Sequence, residues 1–279
     1  MQNHWRKYMT KTIDVLGVKI GGENPLALIA GPCVIESREG CIQIAEELVK
    51  LAKQQKVPLI FKASYDKANR TSIDSYRGPG ISKGLDILAE IKEKFNIPVL
   101  TDVHSVEEIK IASKVVDIIQ LPAFMIRQTD FVVAAGESGA VVNVKKAQFA
   151  APWDMVNVVK KIESTGNTNI LLTERGASFG YNTLVADMRS LVIMREMGYP
   201  VIFDATHSVQ APGGQGTTSG GDGRFAPYLA RAATAVGVDG LFIETHPNPE
   251  QALSDGPNMI PLGELPQLWK TLNAIDQII

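Results

Sequence analysis

Several things are scarce in this chain of 279 residues. It has two cysteines, Cys33 and Cys41, too few for a disulfide framework. Cys41 falls in the helical pattern REGCIQIAEELVKLAKQ, where a thiol packs as a small hydrophobe. Charge of either sign is not in excess: the formal net charge is -2, which gives no electrostatic reason to expect nucleic acid or an anionic membrane as partner. No run approaches the roughly 20 apolar residues of a membrane span. The opening MQNHWRKYMTKTIDVLG lacks the apolar core of a signal peptide. No linker-like composition divides the chain. These absences predict a reduced, cytoplasmic protein with one domain over residues 1–279. The 45% hydrophobic and 21% charged residues are those of an ordinary soluble globular protein.

What is present is a repeated pattern. Eight short buried-type runs, LALIAGPC, PLIFKAS, PVLTDVH, DIIQLP, VVNVKK, NILLTER, VIFDATH and GLFIETH, each end in a residue able to do chemistry. In order these are Cys33, Lys62, Asp102, Gln120, Lys145, Arg175, His207 and Glu244. Between them the apolar spacing is helical over Arg38–Gln54, Ile81–Phe95, Ser105–Lys114, Phe131–Glu137, Asp154–Ser164, Leu184–Met197, Phe225–Val236 and Pro261–Ile278. Strands alternating with helices imply a parallel sheet, and eight units imply a closed (β/α)8 TIM barrel of the α/β class. In such barrels the functional groups sit at the carboxyl ends of the strands. Residues 12–22 read as a small hairpin, Thr12–Val15 with Val18–Ile20, expected to close the opposite, amino-terminal end of the barrel.

Two loops are longer than a tight turn requires. The first, Ala63–Gly80, holds Lys67, Asn69, Arg70, Thr71 and Ser72, a mixture suited to a phosphorylated polyol. The second, His207–Gly223, is rich in glycine and is expected to close over bound substrate.

In a closed barrel the ends of the seventh, eighth and first strands are consecutive, so Cys33, His207 and Glu244, with Asp255 in the loop that follows, can meet. Their chemistry suits a divalent ion such as Zn²⁺, Fe²⁺, Mn²⁺ or Co²⁺. The plainer alternative is a buried structural cysteine and a hydrogen-bonded histidine, and spacing alone does not separate the two. His246, two residues past Glu244, is expected to pack outside the set, with His207 as the preferred ligand. Lys62, Lys145 and Arg175 form a cationic rim, with Lys67, Arg70 and Arg127 in nearby loops. As a set they point to a ligand with several negative charges. Singly, each reads equally as the partner of a rim carboxylate such as Asp102 or Glu174.

The segments IAGPCVIES, FKASYDKANRTS, SYRGPG, DIIQLPAFMIRQTD, VNVKKAQF, LTERGASFGYN, FDATHSVQ, ETHPNPE and ALSDGP occur in order from about Leu26 to about Leu262. In these the chain strongly resembles the 3-deoxy-D-manno-octulosonate 8-phosphate (KDO 8-phosphate) synthases. The resemblance implies an aldol-type condensation of phosphoenolpyruvate with D-arabinose 5-phosphate and water, releasing inorganic phosphate, in lipopolysaccharide (KDO) biosynthesis. It also implies a homotetramer. By resemblance Lys145 and Arg175 hold the phosphoenolpyruvate phosphate, with Lys62 and Gln120 beside that ligand. Lys67, Asn69 and Asp102 lie along the sugar, Arg70 and Thr71 take its terminal phosphate, and Arg127 reaches in from a neighbouring subunit. Cys33, His207, Glu244 and Asp255 become the ligands of a divalent metal, with His207 and Asp255 also handling protons or water and Lys62, Lys67 and Asp102 in the catalytic set. Cys33 resembles the metal-dependent branch, whereas Asp255-Gly256-Pro257 is similar to the metal-independent one.

Three rival readings carry distinct signatures. The sister synthase making 3-deoxy-D-arabino-heptulosonate 7-phosphate from erythrose 4-phosphate typically has Lys-Pro-Arg-Thr where this chain has Lys67-Ala68-Asn69-Arg70-Thr71. A Schiff-base aldolase would be trapped covalently on Lys62 or Lys145 by borohydride. A non-catalytic phosphometabolite-binding barrel would bind phosphoenolpyruvate without releasing phosphate.

Overall fold

The computed structural model describes residues 9–214 and 220–279. Eight parallel strands form its centre: β1 (Ala27–Gly31), β2 (Leu59–Lys62), β3 (Val99–Asp102), β4 (Ile118–Leu121), β5 (Val141–Lys145), β6 (Ile170–Glu174), β7 (Val201–Asp204) and β8 (Gly240–His246). Each pairs with the next, and β8 pairs with both β7 and β1, from Gly240 opposite Ala27 to Glu244 opposite Gly31. The barrel is closed. Among the described residues eight α-helices surround it: α1 (Arg38–Gln55), α2 (Ile81–Phe95), α3 (Val106–Ala112), α4 (Thr129–Glu137), α5 (Met155–Glu163), α6 (Met188–Arg195), α7 (Ala226–Val236) and α8 (Leu265–Asp276).

The period-2 alternation of a strand sorts each run into two faces. Outward residues, among them Leu28, Phe61, Ile119, Val144, Leu172, Phe203 and Leu241, join the helices in one large apolar core. Inward residues Ala27, Ile29, Ile60, Leu100, Ile118, Val141, Leu171, Ile202 and Phe242 form a second, smaller core inside the barrel. The hairpin of Ile13–Val15 and Val18–Ile20 adds Ile13, Val15 and Ile20 to that inner core. Because these partners are mostly the first or second residues of their strands, the hairpin plugs the amino-terminal end, as its sequence predicts.

Helix ends follow local chemistry. The Ser37 hydroxyl accepts from the Gly40 N–H at 3.0 Å to start α1, and Lys56 and Asn96 end α1 and α2 in the left-handed conformation, at φ 55° and 51°. Most helices differ from the sequence expectation by a few residues. The exception is the segment predicted as one helix over Leu184–Met197. There Leu184–Val185 pairs antiparallel with Ala177–Ser178, and α6 starts only at Met188, where the Asp187 side chain accepts from the Arg189 N–H at 3.0 Å. The apolar spacing of Leu184 satisfied a helical pattern, but a capping aspartate resets the start. Of the predicted closing loop 207–223, His207–Val209 forms a 3₁₀ turn and Gln210–Ala211 pairs with Gly220–Gly221. Its central residues 215–219 lie outside the described residues.

Candidate active site

The inward column of each strand changes character near its carboxyl end. One alternation above the apolar plug, Ile60 is followed by Lys62, Leu100 by Asp102, Ile118 by Gln120, Ile202 by Asp204 and Phe242 by Glu244. Val141 leads through Asn143 to Lys145, and Leu171 through Thr173 to Arg175. Geometry thus turns strand ends into the walls of one cavity of about 540 Å³. Of the predicted residues, Lys62, Lys67, Asn69, Arg70, Thr71, Asp102, Gln120, Lys145, Arg175, His207, Glu244 and Asp255 line it. The buried Phe242 ring lies against both cations: the Lys145 ammonium sits 3.7 Å and the Lys62 ammonium 5.5 Å from its centroid.

Cys33, Glu244 and Asp255 bring one ligand atom each to within 4.8 Å of one another. The Cys33 thiol, completely buried, lies 3.2 Å from both the Ser254 hydroxyl and an Asp255 carboxylate oxygen. Gly31 makes this placement possible, since a Cβ there would sit 2.0 Å from the Lys62 carbonyl oxygen. His207 stands beside the trio rather than within it, with Nε2 3.5 Å from Glu244 and 4.0 Å from Asp255. Its Nδ1 is 2.7 Å from Asp204, which favours the tautomer that leaves the Nε2 lone pair facing the carboxylates. This donor set fits a divalent transition ion: one soft sulfur, one imidazole oriented by a carboxylate, and two carboxylates. Burial and the nearby Glu244 push the Cys33 thiol well above its ordinary range, so without a cation it stays protonated.

The cations are held by buried carboxylates. Lys62 donates to Glu244 at 2.5 Å and to the Cys33 carbonyl at 2.9 Å, and Lys67 is 3.8 Å from Glu244. Lys145 pairs with Asp204 and lies 3.4 Å from the His207 Nδ1. The carboxylates paired with Lys62 and Lys145 are therefore Glu244 and Asp204, rather than Asp102 or Glu174, the examples the plainer alternative offered. Burial pushes Lys145 below the usual lysine range despite Asp204, and lowers Arg175 for the same reason. Glu244, by contrast, is held far below the carboxylate range; its burial opposes this, but Lys62, His207 and Lys67 prevail. Gln120 is fixed by Asn143, whose amide donates to it at 3.0 Å and accepts in turn from the Thr173 hydroxyl at 2.6 Å.

Two guanidinium groups keep free donors. Arg175 Nη2 donates to Gln210 at 2.8 Å, and Arg70 Nη1 to the Ser254 hydroxyl at 2.8 Å. Their remaining buried atoms Arg175 Nη1 and Arg70 Nε have no hydrogen-bond partner among the described residues. Buried unpaired donors are costly unless something else supplies the acceptor.

Arg127 is not in the cavity: it is exposed, and its carbonyl accepts from the Lys161 ammonium at 3.3 Å. His246 lies 3.8 Å from Glu36, outside the metal-type group; strand parity alone would put it on the face of Glu244, but at the last position of β8 its ring turns to the Asn248 carbonyl at 2.7 Å. Sequence reasoning passed over four participants. Asp204 bonds Lys145 and His207 together; Gln210 joins Arg175 to Asp255, its Nε2 lying 3.3 Å from that carboxylate; Ser254 joins Cys33 to Arg70; His104 bridges Asp102 and Glu108 at 3.2 Å each. Asp204 had a signal, being the inward polar end of VIFD.

A profile of the DAHP synthetase I family matches residues 6–279. The 2-dehydro-3-deoxyphosphooctonate aldolase of Citrifermentans bemidjiense is 60% identical over 271 residues, 97% of this chain and 99% of that protein. Proteins of the same name from Geotalea daltonii and Geobacter sulfurreducens are 59% and 60% identical, again over 97% of this chain and 100% of theirs.

Proposed function

We propose that this chain, which belongs to the DAHP synthetase I family and is similar to proteins named 2-dehydro-3-deoxyphosphooctonate aldolase, acts as a synthase. It condenses phosphoenolpyruvate with D-arabinose 5-phosphate and water, giving 3-deoxy-D-manno-octulosonate 8-phosphate and inorganic phosphate for lipopolysaccharide biosynthesis. The observation that carries this reading is the pair of open guanidinium donors, Arg175 Nη1 and Arg70 Nε, in one cavity with the carboxylate group. Two substrates that each bring a phosphate would supply the two missing acceptors.

In this reading Lys145 and Arg175 hold the phosphoenolpyruvate phosphate, and Lys62 and Gln120 flank the same molecule. Arg70 and Thr71 take the sugar phosphate, while Lys67, Asn69 and Asp102 align the open-chain sugar. The enol carbon bonds to the aldehyde carbon, water adds to the carbon bearing the phosphate, and carbon–oxygen cleavage releases phosphate and leaves the keto acid. Holding both anions in register supplies proximity and charge balance. His207 and Asp255, facing each other across 4.0 Å, are the groups placed to move a proton to or from the added water or the new hydroxyl. Cys33, His207, Glu244 and Asp255 would hold a divalent ion. When bound, such an ion offers a Lewis acid for the aldehyde or a lowered pKa for a water.

Among the described residues no helix is long and apolar enough to cross a membrane, and both cysteines are free. These fit a cytoplasmic enzyme acting on phosphorylated metabolites. The exposure of Arg127 fits a homotetramer in which that side chain enters a neighbouring cavity. The test is substrate choice. Phosphate release from phosphoenolpyruvate with arabinose 5-phosphate, and a product of the eight-carbon mass, is expected. Turnover of erythrose 4-phosphate alone would reassign the chain to the sister reaction.

A further inference from the structure

Behind the cavity wall lies a second pair of charges that the proposed reaction does not touch. Lys146 and Glu174 are both 1% exposed and lie 3.5 Å apart. Their placement follows from strand parity. Lys145 ends β5 pointing inward, so Lys146 points outward, on the face of Val142 and Val144. Glu174 is outward with Ile170 and Leu172, so Arg175 is inward. The ladder between the two strands runs one step further, with the Lys146 N–H donating to the Thr173 carbonyl at 2.8 Å. The outward pair therefore bridges the two strand ends on whose inner sides Lys145 and Arg175 stand.

Glu174 does more than balance a charge. Its Oε1 accepts from the backbone N–H groups of Arg175 at 3.0 Å and Gly176 at 2.6 Å, and its Oε2 accepts from the Ser190 hydroxyl on α6 at 2.7 Å. The Lys146 ammonium donates in addition to the carbonyls of Ala147 at 3.3 Å and Ala150 at 3.2 Å. One carboxylate thus fixes the turn that presents Arg175, and one ammonium fixes the turn that follows Lys145. We propose that the buried Lys146–Glu174 pair is a positioning device that sets the spacing of Lys145 and Arg175, and hence the affinity for the phosphate of phosphoenolpyruvate. This rests on the reading that these two cations hold that phosphate. A burial of two charges away from any ligand is otherwise hard to justify, since a packed apolar pair would serve stability equally well or better.

Three variants test it, each read by turnover and by calorimetric titration of phosphoenolpyruvate onto the full-length protein. Glu174→Leu removes the one acceptor that serves both N–H groups of the turn. It is expected to raise KM and Kd for phosphoenolpyruvate about tenfold, the size of one net buried hydrogen bond. KM for arabinose 5-phosphate, bound at Arg70, is expected to stay within about twofold of wild type, the scale of a remote effect. Glu174→Gln keeps an oxygen for the Arg175 and Gly176 N–H groups and is expected to recover most of the affinity. Lys146→Met, which leaves the turn acceptors intact, provides the measurement if the Leu variant does not fold. It is expected to weaken phosphoenolpyruvate selectively, by a smaller factor. Equal rises in both KM values, or a lower Tm with an unchanged phosphoenolpyruvate Kd, would overturn the assignment and make the pair structural only. If wild-type protein fails to turn over this substrate pair, the functional reading falls first, and titration with inorganic phosphate still reports whether the Lys146–Glu174 pair tunes an anion site.

Discussion

Replacing Asp204 by Asn is the sharpest single perturbation of this site. The carboxylate is completely buried and accepts from four groups: the Lys145 ammonium, His207 Nδ1 at 2.7 Å, the His207 N–H at 2.9 Å and the Thr206 hydroxyl at 3.1 Å. An amide fills the same volume but has one oxygen and two N–H donors. Whichever way it turns, it presents an N–H to one of those donors, and Lys145 loses its nearest counter-charge. Removing one partner of a buried ion pair costs about 3–5 kcal/mol. If most of that falls on the bound state, kcat/KM drops by about two to three powers of ten. Steady-state phosphate release gives the rate, and thermal unfolding under the same conditions separates lost fold from lost site. Thr206→Val, which removes one hydrogen bond to the Asp204 carboxylate and the acceptor of the Glu244 N–H but keeps the Lys145–Asp204 pair, is the comparison and should cost less than Asp204→Asn. A folded Asp204→Asn enzyme with kcat/KM within about twofold of wild type would refute the claim that Asp204 organises Lys145 and His207.

Other outcomes follow from the same geometry. Replacing Cys33 by Asn removes the sulfur from the trio with Glu244 and Asp255; divalent metal retained after dialysis should fall, and activity should lose its metal requirement. Activity that remained fully metal-dependent would exclude Cys33 as a ligand. An Arg127→Ala enzyme should show a raised KM for arabinose 5-phosphate, and mixing it with an Arg175→Met enzyme should regain activity by forming hybrid sites, provided Arg127 serves a neighbouring subunit. Mixtures that show only the sum of the two separate activities would remove that role. His104 is raised above its ordinary 6.5: burial opposes this, but the hydrogen bond and charge of Asp102, with Glu108, prevail. Its contribution to stability is therefore complete below pH 6.5 and is lost as the pH rises through the folded-state value. Urea unfolding of wild type should show stability declining across that window, and His104→Gln should flatten the decline; an identical slope would show that His104 does not carry it.

Much of this was legible because a barrel writes its site into strand parity. Lys62, Asp102, Gln120, Lys145 and Glu244 each stand one or two alternations above an apolar plug residue, and short runs such as PLIFK show that step directly. The hairpin over Ile13–Ile20 was legible for the same reason, as two β-type runs around a turn. What stayed hidden depends on contacts between distant loops. Ser254 links Cys33 to Arg70, and Gln210 links Arg175 to Asp255, yet neither residue type nor spacing marks them. The helix start at Met188 was misplaced because one local hydrogen bond at Asp187 outweighed an apolar spacing that Leu184 also satisfied.

The most direct measurement is the loss of phosphoenolpyruvate with arabinose 5-phosphate in chelator-stripped protein, before and after divalent metal is restored. The account predicts activity that vanishes on stripping and returns on addition. Activity untouched by stripping would keep the synthase and dismiss Cys33 as a ligand, and no consumption under either condition would contradict the synthase itself.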